Sequence, residues 1–453
     1  MNYRRIGFVL LTLLFACCGA SAQSFSGDAR KIGMGGIGYS ENITAKMIDD
    51  ERPYSSVIIP LGILQLVEDR NRFDPDNDNF DPILAMEYAA NPLHFIVGRD
   101  PGGPRGRFVS DIVNGEFSTD RDLNNYRGFI PTDHLLSEGL ANPNWGKTVK
   151  FRKRLDGSYQ GFYVGVGPYI SAKTILDIDN ALIDILSSST PITKPNQSFS
   201  ITDRSFGQLA LAITGGYRGR FALPGRAGDK KPTRDGIYAG MNYHYLKGFR
   251  YENPDMRIRF DTDSAGKVIL QPTTAPVTID YNHSHSGDGL ALDFGIGAVV
   301  GSWEFGFAAN GVGNRINWHD LDYKQFKMES LFEGGDFVDQ RLTPVSPDLR
   351  VELPAEYIGN VGYSRENWSV VAELSHGFQG TSFHSGVEYR LNAIEFRGGV
   401  RYGLDRWHPS GGLGFNLGER FSIDVAAFGT TTNIERELKP GIALSFRFNR
   451  PQS

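Results

Sequence analysis

Four stretches of this chain carry side chains whose types and spacing could do chemistry. Gly33-Met34-Gly35-Gly36-Ile37-Gly38 has the G-x-G-x-x-G spacing that lets a backbone wrap a pyrophosphate at a helix N-terminus. That chemistry needs a strand before the glycines and a βαβ unit around them, and the sequence offers neither. The plainer reading is a sharp turn with close backbone packing, which makes Gly33, Gly35, Gly36 and Gly38 candidate plug and gating positions. Asp74-Pro75-Asp76-Asn77-Asp78 resembles a calcium loop. However, Asn79 stands where an EF-hand needs Gly, and Ala85 where it needs a bidentate Glu, so a solvated acidic turn fits better. His283-Ser284-His285 could set two imidazoles on one side of a strand, with no third ligand evident; an external loop is the better reading. No metal or cofactor is expected. No G-x-S-x-G is present, no catalytic residue is assigned, and the chain is not expected to be an enzyme.

The fourth stretch is the richest. Glu388, Arg390, Glu395, Arg397 and Arg401 alternate acid and base close together, with Glu373, His384, Asp424 and Arg447 on flanking segments. They read either as a ladder of paired charges bracing a wall or as a polar lining that selects what passes. A catalytic carboxylate pair is the remote third option.

These residues must be positioned by β-strands. From about Asn144 onward the apolar pattern has period two. Ile394, Phe396, Gly398, Val400 and Tyr402 share one face, and Glu395, Arg397, Gly399 and Arg401 the other. A two-residue turn at Asn392-Ala393 sets Leu391 opposite Ile394, Arg390 opposite Glu395, Tyr389 opposite Phe396 and Glu388 opposite Arg397, matching like faces throughout. Gly301-Ser302 suits a type II′ turn. It sets Val300 opposite Trp303, Ala298 opposite Phe305 and Ile296 opposite Phe307, with Asp293, Glu304 and Asn310 on the other face. Asp156-Gly157 is a third tight turn.

Thirteen such segments follow: 145–155, 158–172, 204–220, 236–250, 287–300, 303–313, 353–364, 367–376, 382–391, 394–403, 410–417, 420–429 and 440–448. A fourteenth is expected at Leu93–Gly98 or Arg105–Val113. Short connections alternate with long ones at 174–203, 251–286 and 314–352, the asymmetry of outer-membrane barrels. Within two of the long loops, Asp179–Leu186 and Tyr323–Phe332 have apolar residues at helical spacing and predict short capping helices.

The apolar face (Phe162, Val164, Val166, Leu290, Leu292, Phe294, Trp368, Val370, Leu374, Val387, Tyr389) must point outward. The charged face points inward, because ions facing lipid cost a few kcal/mol each near the midplane. Glu373, His384, Glu388, Arg390, Glu395, Arg397, Arg401, Asp424 and Arg447 are therefore assigned to the lumen. A soluble barrel would be patterned the other way.

Composition agrees. Glycine contributes 54 of 453 residues and aromatics 12%, while mean hydropathy is −0.30. Beyond the N-terminus no apolar run reaches the length of a spanning helix. A net charge of −5 gives no electrostatic case for nucleic acid. Met1–Ala22 reads as a secretory signal, with Arg4 and Arg5 before the apolar Ile6–Cys18 and Ala20-Ser21-Ala22 at the cleavage site. The rival lipoprotein box, Leu14-Phe15-Ala16-Cys17, is poorly served by Phe15. Cleavage removes Cys17 and Cys18, both of the chain's cysteines, and excludes disulfides and thiol chemistry from the mature protein.

Gly27-Asp28-Ala29-Arg30 followed by Gly33-Met34-Gly35-Gly36 resembles the mature N-terminus of the FadL-like outer-membrane barrels, the superfamily of the long-chain fatty acid transporters, with TraF-like and type IX secretion relatives. Leu353-Pro354-Ala355, Gly386-Val387-Glu388-Tyr389 and Arg397–Gly403 are similar to its strand blocks. The family's Asn-Pro-Ala motif has its nearest counterpart at Asn91-Pro92-Leu93, much later than usual. The resemblance implies an N-terminal plug inside a fourteen-stranded barrel.

The expected architecture is all-β. It is a 14-stranded antiparallel transmembrane β-barrel with an N-terminal plug and short helices in external loops, divided into a signal peptide (1–22), a plug or hatch segment (23–90) and a barrel (91–453). The expected function is porin-like passage of small hydrophobic molecules across the bacterial outer membrane, in contact with its lipids. The alternative is a sealed scaffold that binds or exports a secreted or surface protein partner, with the long loops as docking surface.

Overall fold

The computed structural model describes residues 28–36, 42–49, 54–68, 94–97, 134–141, 145–181, 194–223, 234–266, 269, 275–328, 337–342, 347–378, 380–403, 406–418, 420–430 and 438–449. Within them the chain is nearly all antiparallel sheet. Three short helices are present among the described residues: α1 (Ala29–Gly33), α2 (Ile43–Asp49) and α3 (Leu61–Glu68). The strands are β1 (Tyr54–Ile59), β2 (Phe95–Ile96), β3 (His134–Ala141), β4 (Trp145–Lys153), β5 (Tyr159–Ile178), β6 (Ser198–Ala222), β7 (Gly236–Asp261), β8 (Val277–Ser284), β9 (Ser286–Val300) and β10 (Trp303–His319). They continue as β11 (Asp322–Met328), β12 (Phe337–Leu342), β13 (Leu349–Glu352), β14 (Glu356–Ser364), β15 (Trp368–Gly377), β16 (Gly380–Leu391), β17 (Ile394–Gly403), β18 (Arg406–Leu417), β19 (Phe421–Thr430) and β20 (Lys439–Asn449).

All twenty form one sheet. Several are collinear pieces of longer lines. β3 and β4 both run along β5, β8 and β9 both along β7, and β13 and β14 both along β10. β11 continues β10 upward and pairs with β8 and β12. From β14 onward each strand pairs with the next in sequence, as far as β20.

The hairpin registers follow the side-chain pattern. Leu391 faces Ile394 and Glu388 faces Arg397; Val300 faces Trp303 and Ile296 faces Phe307. Gly301 and Gly157 take positive φ, +61° and +84°, where a Cβ would be strained. The short turns lie at one rim of the sheet and the long connections at the other. The sheet curls about its polar face. Asn314 on β10 donates a hydrogen bond to the Tyr169 hydroxyl on β5 at 2.7 Å, across the intervening β6, β7 and β9.

Three features differ from the sequence reading. Strands at the long-connection rim run well past their expected ends: β7 continues to Asp261, and much of 251–286 is strand where a loop was expected. Tyr323–Phe332 was expected to be helical, but Asp322–Met328 is strand β11. Its backbone completes the edge that β8 leaves open, so tertiary hydrogen bonding overrides a local helical spacing. Residues 54–59, inside the segment assigned to the plug, are β1, paired with Leu444–Asn449 along the outer edge of β20. Phe95–Ile96, within one of the two candidate fourteenth strands, pairs with Ile442 and Gly441 on that same edge. At Asp179–Leu186 only the onset is described, where the Ala181 amide donates to Asp179 Oδ1 at 2.9 Å. The signal segment, Gly38, Asp74–Asp78 and Arg105–Val113 lie outside the described residues.

Candidate functional site

The two faces of the sheet have opposite character. Phe396, Val370, Leu374, Phe305 and Phe307 are exposed on the convex face, whereas Glu388 and Asp424 on the concave face are 0% exposed. Burial on that concave side comes from the N-terminal segment. α1 packs on β17 to β20, and α2 on β7, β9 and β10.

The α1 seat is floored by glycine. Gly386 and Gly399 are cross-strand partners. A Cβ on Gly399 would lie 2.1 Å from the Gly35 nitrogen, and one on Gly386 would lie 2.2 Å from the Met34 oxygen. Gly33 also meets Gly412, less tightly, with 3.2 Å from its notional Cβ to the Gly412 Cα. Gly35 and Gly36 both take φ near +80°, so the turn that ends α1 lies flat on bare sheet backbone. Three polar contacts pin it. The Gly35 amide donates to Ser410 Oγ at 3.0 Å, His384 Nδ1 lies 2.8 Å from the Gly35 carbonyl, and the Ala29 amide donates to Ser445 Oγ at 3.2 Å. At Gly33, Gly35 and Gly36 the glycine motif therefore serves backbone-to-sheet contact.

Beside this seat the acids and bases form one buried network. Arg30 reaches from α1 to Glu388 with two bonds, 2.7 and 2.9 Å. Arg397 donates to Glu388 at 2.8 Å, contacts Asp424 at 2.8 Å and bonds Glu395. Arg447 bonds Glu395 at 2.6 Å and approaches Asp424 at 3.4 Å, while Arg390 donates to Glu388. The wall supplies Arg390, Arg397 and Arg447 against Glu388, Glu395 and Asp424, so its charges cancel; α1 adds the opposite pair Asp28 and Arg30. Such balance matters because an unpaired ion costs several kcal/mol when buried.

Arg390 lies opposite Glu395 in the register, but each forms an ion pair along its own strand. Arg390 binds Glu388 on its own strand, and Arg397 takes Glu395. Glu373, His384 and Arg401 lie two rows further toward the long-connection rim, beyond the Gly386–Gly399 pair, in register with one another and with His408. Sequence reading assigned the wall residues but gave no bonding role to Arg30, Ser410 or Ser445, because nothing local says that residue 30 will meet residue 388.

A second cluster was missed as a site. It sits where β10 leaves its register, between Ala309 and Arg315. Asp293 accepts from the Gly311 amide at 2.9 Å and from Asn242 Nδ2 at 3.2 Å, and lies 2.5 Å from His244 Nε2; His244 Nδ1 in turn lies 2.8 Å from Thr214 Oγ1. The readable signal was Asn310-Gly311-Val312-Gly313-Asn314, two glycines within a strand, which mark a bulge. Above this cluster Tyr169, Leu246, Ile316 and Trp318 form an apolar layer; below it Ile43 and Met47 of α2 pack on Tyr238 and Val299. On the convex face a shallow depression of 640 Å³ is lined by Phe305, Phe307, Gly359, Val361, Ala372 and Leu374, among others. Among the described residues no cluster of His, Cys, Asp and Glu could hold a metal ion.

No protein-family model and no curated protein matches the chain. Among solved structures it is similar to the toluene transporter TbuX of Ralstonia pickettii, at 12% identity over 70% of this chain and 85% of that one, with a TM-score of 0.33. It is similar also to the toluene transporter TodX of Pseudomonas putida, at 12% identity over 71% and 86%, TM-score 0.31. A third is a FadL homologue of Pseudomonas aeruginosa, at 11% identity over 64% and 78%, TM-score 0.29. The solved structures similar to this chain thus include a homologue of FadL, whose superfamily Gly27–Gly36 resembles.

Proposed function

We propose that the chain is a plugged outer-membrane β-barrel that passes small hydrophobic molecules. The collinear strands reduce to fourteen lines: β1 with β2, β3 with β4, β5, β6, β7, β8 with β9, β10 with β11, β12 to β14 together, and β15 to β20 singly. An even count suits a bacterial barrel, and closure brings the β1 edge to the β4 edge. The observation that carries the reading is the inversion of faces. Large apolar side chains are bare on the convex side while a cancelled set of ions is buried on the concave side. Water would penalise the first arrangement, and a hydrocarbon surround would favour it. Trp303 with Tyr363 and Trp368 with Tyr389 pair at ring distances of 4.8 and 4.6 Å next to the short-turn rim, where a barrel carries its aromatic girdle. That rim is periplasmic in this reading, and export begins with Met1–Ala22.

Within the segment 23–90, residues 28–36 and 42–49 supply the plug while residues 54–59 join the wall as β1, and Glu373, His384, Glu388, Arg390, Glu395, Arg397, Arg401, Asp424 and Arg447 line the lumen. Gating is movement of that plug, with Gly33, Gly35 and Gly36 giving its backbone the close fit that can be made and broken. Apolar cargo suits the layer of Tyr169, Leu246, Ile316 and Trp318 on the way in.

The test is reconstitution of the full mature chain into liposomes. Entry of a fluorescent hydrophobic probe should exceed that of empty liposomes. Deleting residues 28–49 should raise it several-fold, and the purified protein should shift mobility on heating as barrels do. A heat-stable barrel across which no hydrophobic probe moves, with or without residues 28–49, would overturn the transport reading.

A further inference from the structure

The inward positions of β7 run Tyr238, Gly240, Asn242, His244, Leu246. An apolar residue and the α2 seat lie on one side, two polar residues sit in the middle, and an apolar residue follows. The middle pair meets Asp293 and the β10 bulge. Asp293 is fully engaged, with His244 and Asn242 on one oxygen and the Gly311 amide on the other. The amides beside it are not. Asn242 is 7% and Asn310 9% exposed, and Asn242 Oδ1, Asn310 Oδ1 and Asn310 Nδ2 are buried without a hydrogen-bond partner. Three buried polar atoms left unmatched in one place are costly, so a function is called for. Two positive-φ glycines, Gly311 and Gly313, build the bulge beside Asn310, and the hydrogen bond from Gly311 to Asp293 fixes it.

We infer that this cluster is a binding site for a neutral head group that both donates and accepts hydrogen bonds, carried on an apolar body. The inference rests on the transport reading above, since the site lies on the proposed passage. The open valences are two acceptor oxygens and one NH₂ donor. A carboxamide matches all of them, its two N–H groups reaching the two amide oxygens while its own oxygen accepts from Asn310 Nδ2; a hydroxyl matches two of the three, its single O–H reaching one amide oxygen while its oxygen accepts from Asn310 Nδ2. Exchanging O and N on Asn310 leaves the match intact, because both ends are open. A carboxylate does not match. It brings no donor to two acceptors and adds charge beside the Asp293 carboxylate. The apolar body has Leu246, Ile316 and Tyr169 on one side and Ile43 and Met47 of α2 on the other. The site therefore sorts alcohols and amides from fatty acids and plain hydrocarbons.

The test uses the full mature chain in nanodiscs at pH 8, with decanol, decanamide, decanoate and decane as competing probes, read by equilibrium binding. Decanol and decanamide should bind about tenfold more tightly than decane, and decanoate should gain nothing over it. Asn310→Leu should bring the decanol-to-decane ratio close to one while decane binding stays; Asn242→Leu, judged separately for folding by heat mobility, should lower it also. Equal binding of decanol and decane by the wild type, preferred binding of decanoate, or an undiminished ratio in both variants would overturn the site. If decane crosses the membrane without head-group preference, only this inference fails. If no probe binds or crosses at all, the transport reading falls with it.

Discussion

Arg397 is the residue on which the buried charges converge, because it touches Glu388, Glu395 and Asp424 together. Arg397→Ala would leave those acids short of a partner inside the protein. We expect a loss of about 3–5 kcal/mol, read as a lower denaturant midpoint for unfolding of the protein. Arg30→Ala should cost clearly less, because Arg390 and Arg397 remain on Glu388. Equal losses for the two would contradict the assigned connectivity. The titrating group to watch is His319, beyond the apolar belt at the end of β10. Its hydrogen bonds to Asp288 (2.9 Å) and then Asp348 (3.1 Å) raise its imidazole above the ordinary value. A raised pKa means that the link is at full strength below the ordinary imidazole range, about pH 6.5, and is lost as pH rises through the raised value. Hydrogen exchange of residues 347–350, corrected for intrinsic rate, should therefore be slower at pH 6 than at pH 9, and His319→Gln should erase the difference.

At the scale of elements, the fit of α1 to the wall makes a sharper demand than any single bond. Gly399→Ala would place its methyl on the Gly35 nitrogen, and the flat turn has nowhere to retreat. The wall should still form, while residues 28–36 become open to protease and probe entry rises; an unchanged digestion pattern would argue against the seat. The upper part of β6 carries a second pH effect, the same in direction but opposite in cause. Burial, helped by Asp255 and opposed by the Ser205 hydroxyl, lifts Asp203 to about 6. Its raised pKa means that ionisation works against the fold, so this part of the sheet should tighten as pH falls through 6, and Asp203→Asn should hold it tight at neutral pH. A thermal melt of variant and parent at pH 5 and 7.5 checks the sign.

Elements were also where the sequence spoke most clearly. Hairpins with strict alternation, such as Tyr389 to Phe396, declared their register to the residue, since a slip would turn every apolar side chain inward. Helical spacing at Phe326 and Met328 misled because the edge of β8, far away in sequence, decided that stretch.

For the whole molecule, what local pattern could not reveal is long-range closure. Alternation names the wall and its two faces. It does not say that β1 will lie against β20, that Arg30 will find Glu388, or that two asparagines will be left open beside a bulge. Those depend on how far the sheet curls. One whole-molecule prediction follows from the opposed faces. A charge placed on the convex side, Val370→Arg, should impair insertion into lipid by about 2–4 kcal/mol, whereas Ser445→Ala on the concave side should insert normally. Equal effects would reverse the assignment of the faces.

The lengths of the strands are unequal around the wall. β6 and β7 run 25 and 26 residues, while β15 and β17 run 10. At about 3.3 Å per residue the long pair rises like a fin over one flank only. In the outer-membrane reading proposed above, an antibody, a phage fibre or a neighbouring cell would meet that fin first. Such an encounter has a handedness: the molecule has a leading side and a sheltered side long before anything reaches its mouth.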